Sequence, residues 1–305
     1  MVESFGVVGD RWRRPGTTRS LRLGDTTVSY VPDGELRLPP GVAFPQADAR
    51  VWSEHPEYLD DFGLLVLSVG ALLVERDGRA LLIDAGFGPE ELPLVPGVPH
   101  STIRGGGLLA GLAALGRRPE EIEAVAVTHL HPDHLGWAWR PGPDGGRPVF
   151  AHAEHLVAEP EWAARDRGSE QAAEHGAAHG PAREIAGVAP YVRTVTDGQE
   201  VFPGVRARVT GGHTAGHTEY VIEDGGRRLI AFGDAMHAPV QVGHPGWFVG
   251  ADHDPARAAA HRARLVEELA QPGVIGFGVH FADVVFGRVV SGQVDSGPVW
   301  CPVDA

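Results

Sequence analysis

The run Thr128-His129-Leu130-His131-Pro132-Asp133-His134 places three imidazoles and a carboxylate within six residues. It follows directly on Ala124–Thr128, a compact apolar pattern that reads as a buried strand. Extended backbone sends alternate side chains to opposite faces, so His129 and His131 are expected on one side. A turn at Pro132 would then swing Asp133 and His134 towards a second point nearby. Neutral imidazole and carboxylate are ligands that suit zinc, manganese or iron. Histidine makes up 16 of 305 residues, so a polar loop assembled by chance does not account for this density.

Three weaker signals lie downstream. Gly211-Gly212-His213-Thr214-Ala215-Gly216-His217-Thr218 sits between two strand patterns. Phe232-Gly233-Asp234-Ala235 ends an apolar run on an acid, and Gly278-Val279-His280-Phe281 follows the last short strand pattern. Taken singly, a strand-end aspartate is more often a turn former and a lone histidine more often structural. Their order along one chain changes that reading.

The rest of the chain reads as strands in runs separated by helices. Leu21–Val31 is a first strand region, and Pro32–Pro56, dense in proline and glycine, is a loop. Leu64–Glu75 and Arg79–Asp84 form a hairpin around Asp77-Gly78. Gly107–Leu115 is a short helix, and the alanine- and glutamate-rich Ala153–Gly187 is two or three helices. Val205–Thr210, Thr218–Glu223, Arg227–Phe232 and Val274–Gly276 are strands. Pro255–Leu269 is the clearest helix, with Asp254 at its N-cap and Pro255 in its first turn. Sheet layers flanked by helices in one domain over residues 21–305 are expected. Residues 1–20, with Arg11, Arg13 and Arg14, read as a solvated N-terminal tail.

Composition narrows the function. At 43% hydrophobic residues the chain can bury a sizeable core. With 40 acidic against 26 basic side chains the net charge is −14, which repels phosphate backbones and anionic lipid. A small-molecule substrate is expected, with no nucleic-acid or membrane partner; a homodimer is left open. The single cysteine, Cys301, cannot form an internal disulfide and fits a reducing, cytoplasmic setting. Neither a secretory leader nor an apolar run of about 18–20 residues is seen.

The series Asp84, His129-x-His131-x-Asp133-His134, His213, Asp234 and His280 resembles the metallo-β-lactamase-fold hydrolases, over about Leu21 to Val290. The nearest branch in pattern is that of methyl parathion hydrolase and the related lactonases. Leu23-Gly24-Asp25 with Asp33-Gly34 and Leu38-Pro39 is similar to its opening. Asp234-Ala235-Met236-His237 with Pro245-Gly246-Trp247, and Pro255-Ala256-Arg257 through His261-Arg262, are similar to its later stretches.

The resemblance implies a four-layer αββα sandwich with two divalent metal ions, zinc first and manganese or iron also admissible. His129, His131 and His213 would hold one ion, Asp133, His134 and His280 the other, and Asp234 both. Asp133 and Asp234 would be the catalytic carboxylates, Asp84 would orient the metal-site loop, and His217 would hydrogen-bond rather than ligate. A shared hydroxide would attack the carbonyl of a lactone, ester or thioester, with side activity on phosphotriesters. Consistently, the chain has no Gly-x-Ser-x-Gly elbow. One common group of antibiotic-cleaving relatives carries cysteine in place of Asp234 and arginine in place of His134, so that group is disfavoured. The branch usually has a proline where this chain has Ala282. Phe87, Trp137, His237, Trp247 and Phe281 are candidates for the substrate pocket. A mononuclear iron oxidoreductase of the persulfide dioxygenase kind, or a repurposed biosynthetic catalyst, are the alternatives on the same fold.

Overall fold

A computed structural model describes residues 9–142, 145–165, 182–292 and 297–303. The first sheet is built from β1 (Arg19–Leu23), β2 (Thr26–Leu38), β3 (Leu65–Arg76), β4 (Arg79–Ile83), β5 (Glu91–Pro93), β6 (Thr102–Arg104), β7 (Ala124–Ala126), β8 (Glu154–Ala158) and β9 (Val192–Val195). Its order is β5-β6-β2-β3-β4-β7-β8-β9, with β1 also on β2. The second contains β10 (Glu200–Phe202), β11 (Val205–Val209), β12 (Thr218–Asp224), β13 (Arg227–Ala231), β14 (Val274–Phe277), β15 (Phe286–Ser291) and β16 (Pro298–Pro302), paired in chain order. Strands β4, β7, β8 and β9 run parallel, as do β13 and β14; the other pairs are antiparallel.

The period-two alternation of side chains sorts the core into layers. Leu72, Val74, Leu81, Ile83, Ala124 and Ala126 of the first sheet meet Ala207, Tyr220, Ile222, Leu229, Ala231 and Phe277 of the second. The intervening residues Leu73, Leu82 and Val125 face outward, onto Leu108 and Leu112 of the helix Leu108–Ala114 and Leu135 of the helix Pro132–Trp139. On the far side, Ile230 and Val274 pack against Leu265, Val266 and Leu269 of the helix Pro255–Leu269. Helices, sheet, sheet and helix form the four-layer αββα sandwich. The Asp254 side chain accepts from the Arg257 N–H at 3.0 Å and caps that last helix.

Three expectations need correction. Ala153–Gly187 does not open as helix: Glu154–Ala158 is β8, inserted parallel between β7 and β9. His155, Leu156, Val157 and Ala158 are all buried, so the segment lacks the polar–apolar alternation that marks a half-exposed strand. Residues 159–165 and Ala182–Val188 are helical, and 166–181 lie outside the described residues. Pro32–Pro56 is not all loop, since β2 runs on to Leu38 through a register shift between Pro32 and Gly34. Pro40–Ala43 and Ala49–Glu54 then form short helices.

The third correction concerns the N-terminal arginines. β1 begins at Arg19, inside the expected tail. Arg11 donates to the main-chain oxygen of Asp283, and Arg14 and Arg19 both pair with its buried carboxylate. Sequence distance hid these partners, which lie more than 260 positions away.

Candidate metal centre

The centre forms where strands of both sheets end. β4 stops at Asp84, whose backbone is in the left-handed region at φ 63°. That turn aims its carboxylate across to the end of β7. It accepts the Thr128 N–H at 2.8 Å and faces His134 Nδ1 at 2.8 Å. His131 is the N-cap of the helix Pro132–Trp139, with Pro132 in its first turn. His129 and His131 therefore leave an extended backbone, while Asp133 and His134 leave a helix.

The second sheet supplies the other groups. His213 lies in the loop joining β11 to β12, and its Nδ1 faces Asp252 Oδ1 at 2.9 Å. Asp234 follows β13, and its N–H donates to His217 Nε2 at 3.0 Å. Gly233 at φ 49° allows this contact: a Cβ there would stand 2.8 Å from the same Nε2. The other nitrogen of His217 meets the Thr210 hydroxyl at 2.9 Å, so both its nitrogens are occupied away from the ligand groups. His280 follows β14, and its Nδ1 donates to the main-chain oxygen of Ser68 at 2.8 Å. Buried Glu161 joins two of the loops, accepting from the Leu130 N–H, the Gly216 N–H and the Thr214 hydroxyl.

Two donor groups result. His129, His131, His213 and Asp234 form one, and Asp133, His134 and His280 the other, with the ligand atoms in each within 4.8 Å of one another. Asp234 stands between them. Its Oδ2 is 3.6 Å from His129 Nε2 and 3.3 Å from His213 Nε2. Its Oδ1 is 3.2 Å from both His134 Nε2 and His280 Nε2. Asp133 Oδ2 lies 3.7 and 3.6 Å from the same two nitrogens.

The residues fit a divalent cation in each group. His131 Nδ1 stands 2.9 Å from His129 Nε2 and 3.1 Å from His213 Nε2, so the three nitrogens converge on one point, as ligand atoms around a cation do. His134 Nε2 and Asp234 Oδ1 are buried yet have no hydrogen-bond partner, which is costly unless something else binds them. The protonation pattern shows the same demand. Burial, helped by neighbouring His213, pushes His131 down to about 3. Burial also disfavours the charged form of His213, but Asp234 and Asp252 outweigh it and lift that group to about 9. Burial would raise the Asp234 carboxyl; the surrounding imidazoles, His280 and His134 foremost, hold it well below its ordinary range. A charged carboxylate ringed by imidazoles binds metal in competition with protons.

A cavity of about 300 Å³ opens onto this cluster. His131, Asp133, His213, Asp234, His237 and His280 form its polar floor, and Leu36, Leu38, Val42, Ala43, Leu67 and Val249 its apolar wall. Of the aromatic and histidine side chains expected there, His237 lines the cavity, with Nε2 3.1 Å from Asp234 Oδ2. The others do not. Trp137 is buried beneath, donating its indole N–H to Asp33 Oδ1 at 2.8 Å. Phe87 packs on Val69 and Ile103, and Phe281 on Phe232 and Trp300. Trp247 stacks on His244 and meets Phe44, bracing the wall from behind. Asp252, Glu161 and the apolar wall carried no local sequence signal, because each acts through contacts distant in the chain.

Comparison with known proteins agrees with this architecture. The sequence model of the Metallo-beta-lactamase superfamily matches residues 65–274. An N-acyl homoserine lactonase from a Bacillus species is 26% identical over 227 residues, covering 70% of this chain and 82% of the relative. A Mycobacterium tuberculosis protein described as a "probable metallo-hydrolase" is 28% identical over 194 residues, 59% of this chain and 60% of the relative. Among solved structures, the hydrolase AbOPH of the beta lactamase superfamily superposes with a TM-score of 0.78 at 21% identity, over 96% of this chain and 99% of that one. AidC, a dizinc quorum-quenching lactonase in complex with a product, gives 0.78 at 20% identity, over 94% and 98%. At such identities these structures speak for the fold, while the match over residues 65–274 speaks for descent: the chain belongs to the metallo-beta-lactamase superfamily.

Proposed function

We propose that the chain is a di-metal hydrolase of zinc type that opens a neutral lactone, ester or thioester carrying an apolar acyl group, with the segment from Arg11 onward acting as part of one domain. The observation that carries the reading is the position of Asp234, whose two oxygens face two separate donor groups. His129, His131 and His213 would hold one ion, Asp133, His134 and His280 the second, and Asp234 both. Bound there, two divalent ions would supply Lewis acidity, lowering the pKa of a water towards neutrality and polarising the scissile carbonyl.

The chain's own residues do the rest. Asp252 and Ser68 fix the outward nitrogens of His213 and His280, which leaves Nε2 of each directed inward. Leu36, Leu38, Val42, Leu67 and Val249 receive the acyl group and exclude water beside the carbonyl. Among the described residues no arginine or lysine lines the cavity, so apart from the ions no cationic side chain is there to select an anionic group. The lactonase relatives, and a lactonase structure with N-hexanoyl-L-homoserine at its catalytic metal center, support a substrate of this chemical kind.

The test is metal content by plasma mass spectrometry, for the native chain and Asp234→Ala, alongside a panel of lactones, esters and thioesters. Two zinc or manganese ions per chain, lost in the variant, with hydrolysis of neutral acyl substrates, is the expected result. One iron per chain would replace the reading with the oxidoreductase. Two ions with no hydrolysis across the panel would point to a repurposed catalyst.

A further inference from the structure

Arg14, Thr17 and Arg19 converge on a single side chain, Asp283, three positions beyond His280. Asp283 is fully buried, and donors from this segment reach both oxygens of its carboxylate. Arg14 donates Nε and Nη2 to Oδ2 at 3.0 and 2.7 Å. Thr17 donates its N–H and its hydroxyl to Oδ1 at 3.0 and 3.1 Å. Arg19 Nη2 reaches both oxygens at 3.1 Å. The main chain is pinned as well: Arg11 Nη2 donates to the Asp283 carbonyl at 2.7 Å, and the Asp283 N–H donates to the Arg11 carbonyl at 3.0 Å.

A second route joins the same two segments through Ser68 of β3. The Gly16 N–H donates to Ser68 Oγ at 2.6 Å, and Ser68 Oγ donates to the Ala282 carbonyl at 2.8 Å. The main-chain oxygen of this same Ser68 receives His280 Nδ1. Between His280 and Asp283, Ala282 is held at φ 42°, a left-handed conformation that alanine adopts only when its surroundings impose it. A Cβ on Gly16 would lie 2.9 Å from the Ala282 oxygen and 3.1 Å from Ser68 Oγ, so only glycine passes there without displacing the turn. A proline at 282, with φ fixed near −65°, could not take this shape. The turn that follows His280 is therefore set by the N-terminal segment.

We propose that Asp283 is a positioning residue for the second metal site, and that the segment from Arg11 to Arg19 holds His280 in place through Asp283 and Ser68. The inference rests on the two-ion reading above. It makes the N-terminal segment part of the metal centre without contributing a ligand.

The test is a zinc titration of chelator-stripped protein against a chromophoric competitor, with the far-ultraviolet circular dichroism of each variant recorded. The native chain is expected to show two sites, and His280→Ala to weaken one of them. Asp283→Asn and Gly16→Ala should weaken that same site by about 10- to 100-fold and leave the other unchanged. Adding Asp283→Asn to His280→Ala should weaken it no further. Arg13→Ala, which pairs with Asp10 and Asp61 rather than Asp283, should match the native chain. If Asp283→Asn fails to fold, Gly16→Ala and the half-exposed Arg14→Ala carry the same comparison. Folded variants with native affinity at both sites would overturn the proposal, and so would an equal loss at both. Fewer than two sites in the native chain would remove the two-ion reading before any variant is compared.

Discussion

His213 and Asp252 form a 2.9 Å hydrogen bond in which the imidazole Nδ1–H faces a fully buried carboxylate. Asp252 in turn pairs with Arg262, a guanidinium with no exposed surface that also donates to the carbonyls of Ala235 and Pro245. One buried network thus fixes a proposed ligand, the residue after Asp234 and the loop leading to the cavity wall. Asp252→Ala is expected to weaken zinc binding at the His129–His131–His213 group by about 10- to 100-fold in a folded protein. Competition titration checks this.

Asp234→Asn should lower kcat/KM by about a thousandfold or more, since on the proposed reading several kcal/mol of transition-state stabilisation would depend on ions held through this carboxylate. Steady-state kinetics on the best substrate of the acyl panel, at saturating zinc, is the measurement. A variant within tenfold of the native chain would exclude a shared carboxylate.

His217→Leu separates support from ligation. Removing the imidazole leaves the buried Asp234 N–H without its acceptor, a cost of roughly 1–3 kcal/mol. Denaturant unfolding should register that loss while the metal content stays at the native value. Loss of one ion equivalent from folded His217→Leu would instead make His217 a ligand.

Val42, about half-exposed at the mouth of the apolar wall, can be enlarged without disturbing the core. Val42→Trp should lower kcat/KM for long acyl chains by roughly tenfold, mainly through KM, and leave an acetyl ester nearly unaffected. Equal losses for both chain lengths would detach this wall from acyl recognition.

Acid stability should depend on Asp283. Burial alone would raise this carboxyl, but the hydrogen bonds from Arg14 and Thr17 and the charge of Arg19 outweigh it and keep it below the ordinary carboxylate range. A depressed folded value gives stability that is present above the unfolded pKa of ~3.9 and lost as pH falls through the folded value. Thermal midpoints of metal-free protein should therefore fall more steeply below about pH 4 in the native chain than in Asp283→Asn.

The clustering of the seven donor side chains was legible because their signals are local. His129, His131, Asp133 and His134 sit in one heptapeptide, and His213, Asp234 and His280 each end a strand pattern. The helix Pro255–Leu269 was legible for the same reason, through its N-cap. What sequence could not reveal depends on distant contacts. Nothing near Asp283 points to Arg14, and nothing near Glu161 points to Leu130 or Gly216. The aromatic residues beside ligands misled because neighbouring positions on a strand or turn face opposite ways. Phe281 enters the outer core while His280 faces the cluster, and Trp137 serves Asp33 one helical turn from His134. β8 was obscured by the alanine-rich context that follows it.

Each donor group draws on both sheets. His129 and His131 follow β7 while His213 and Asp234 follow β11 and β13; likewise Asp133 and His134 face His280, which follows β14. Two ions bound there would act as cross-links between the two sheets, so neither half of the chain could retain them alone. Their release would then be coupled to separation of the sheets, and the metal off-rate would set how long the native state survives: a chelator should shorten the lifetime of the folded protein in denaturant even where it leaves the refolding rate untouched.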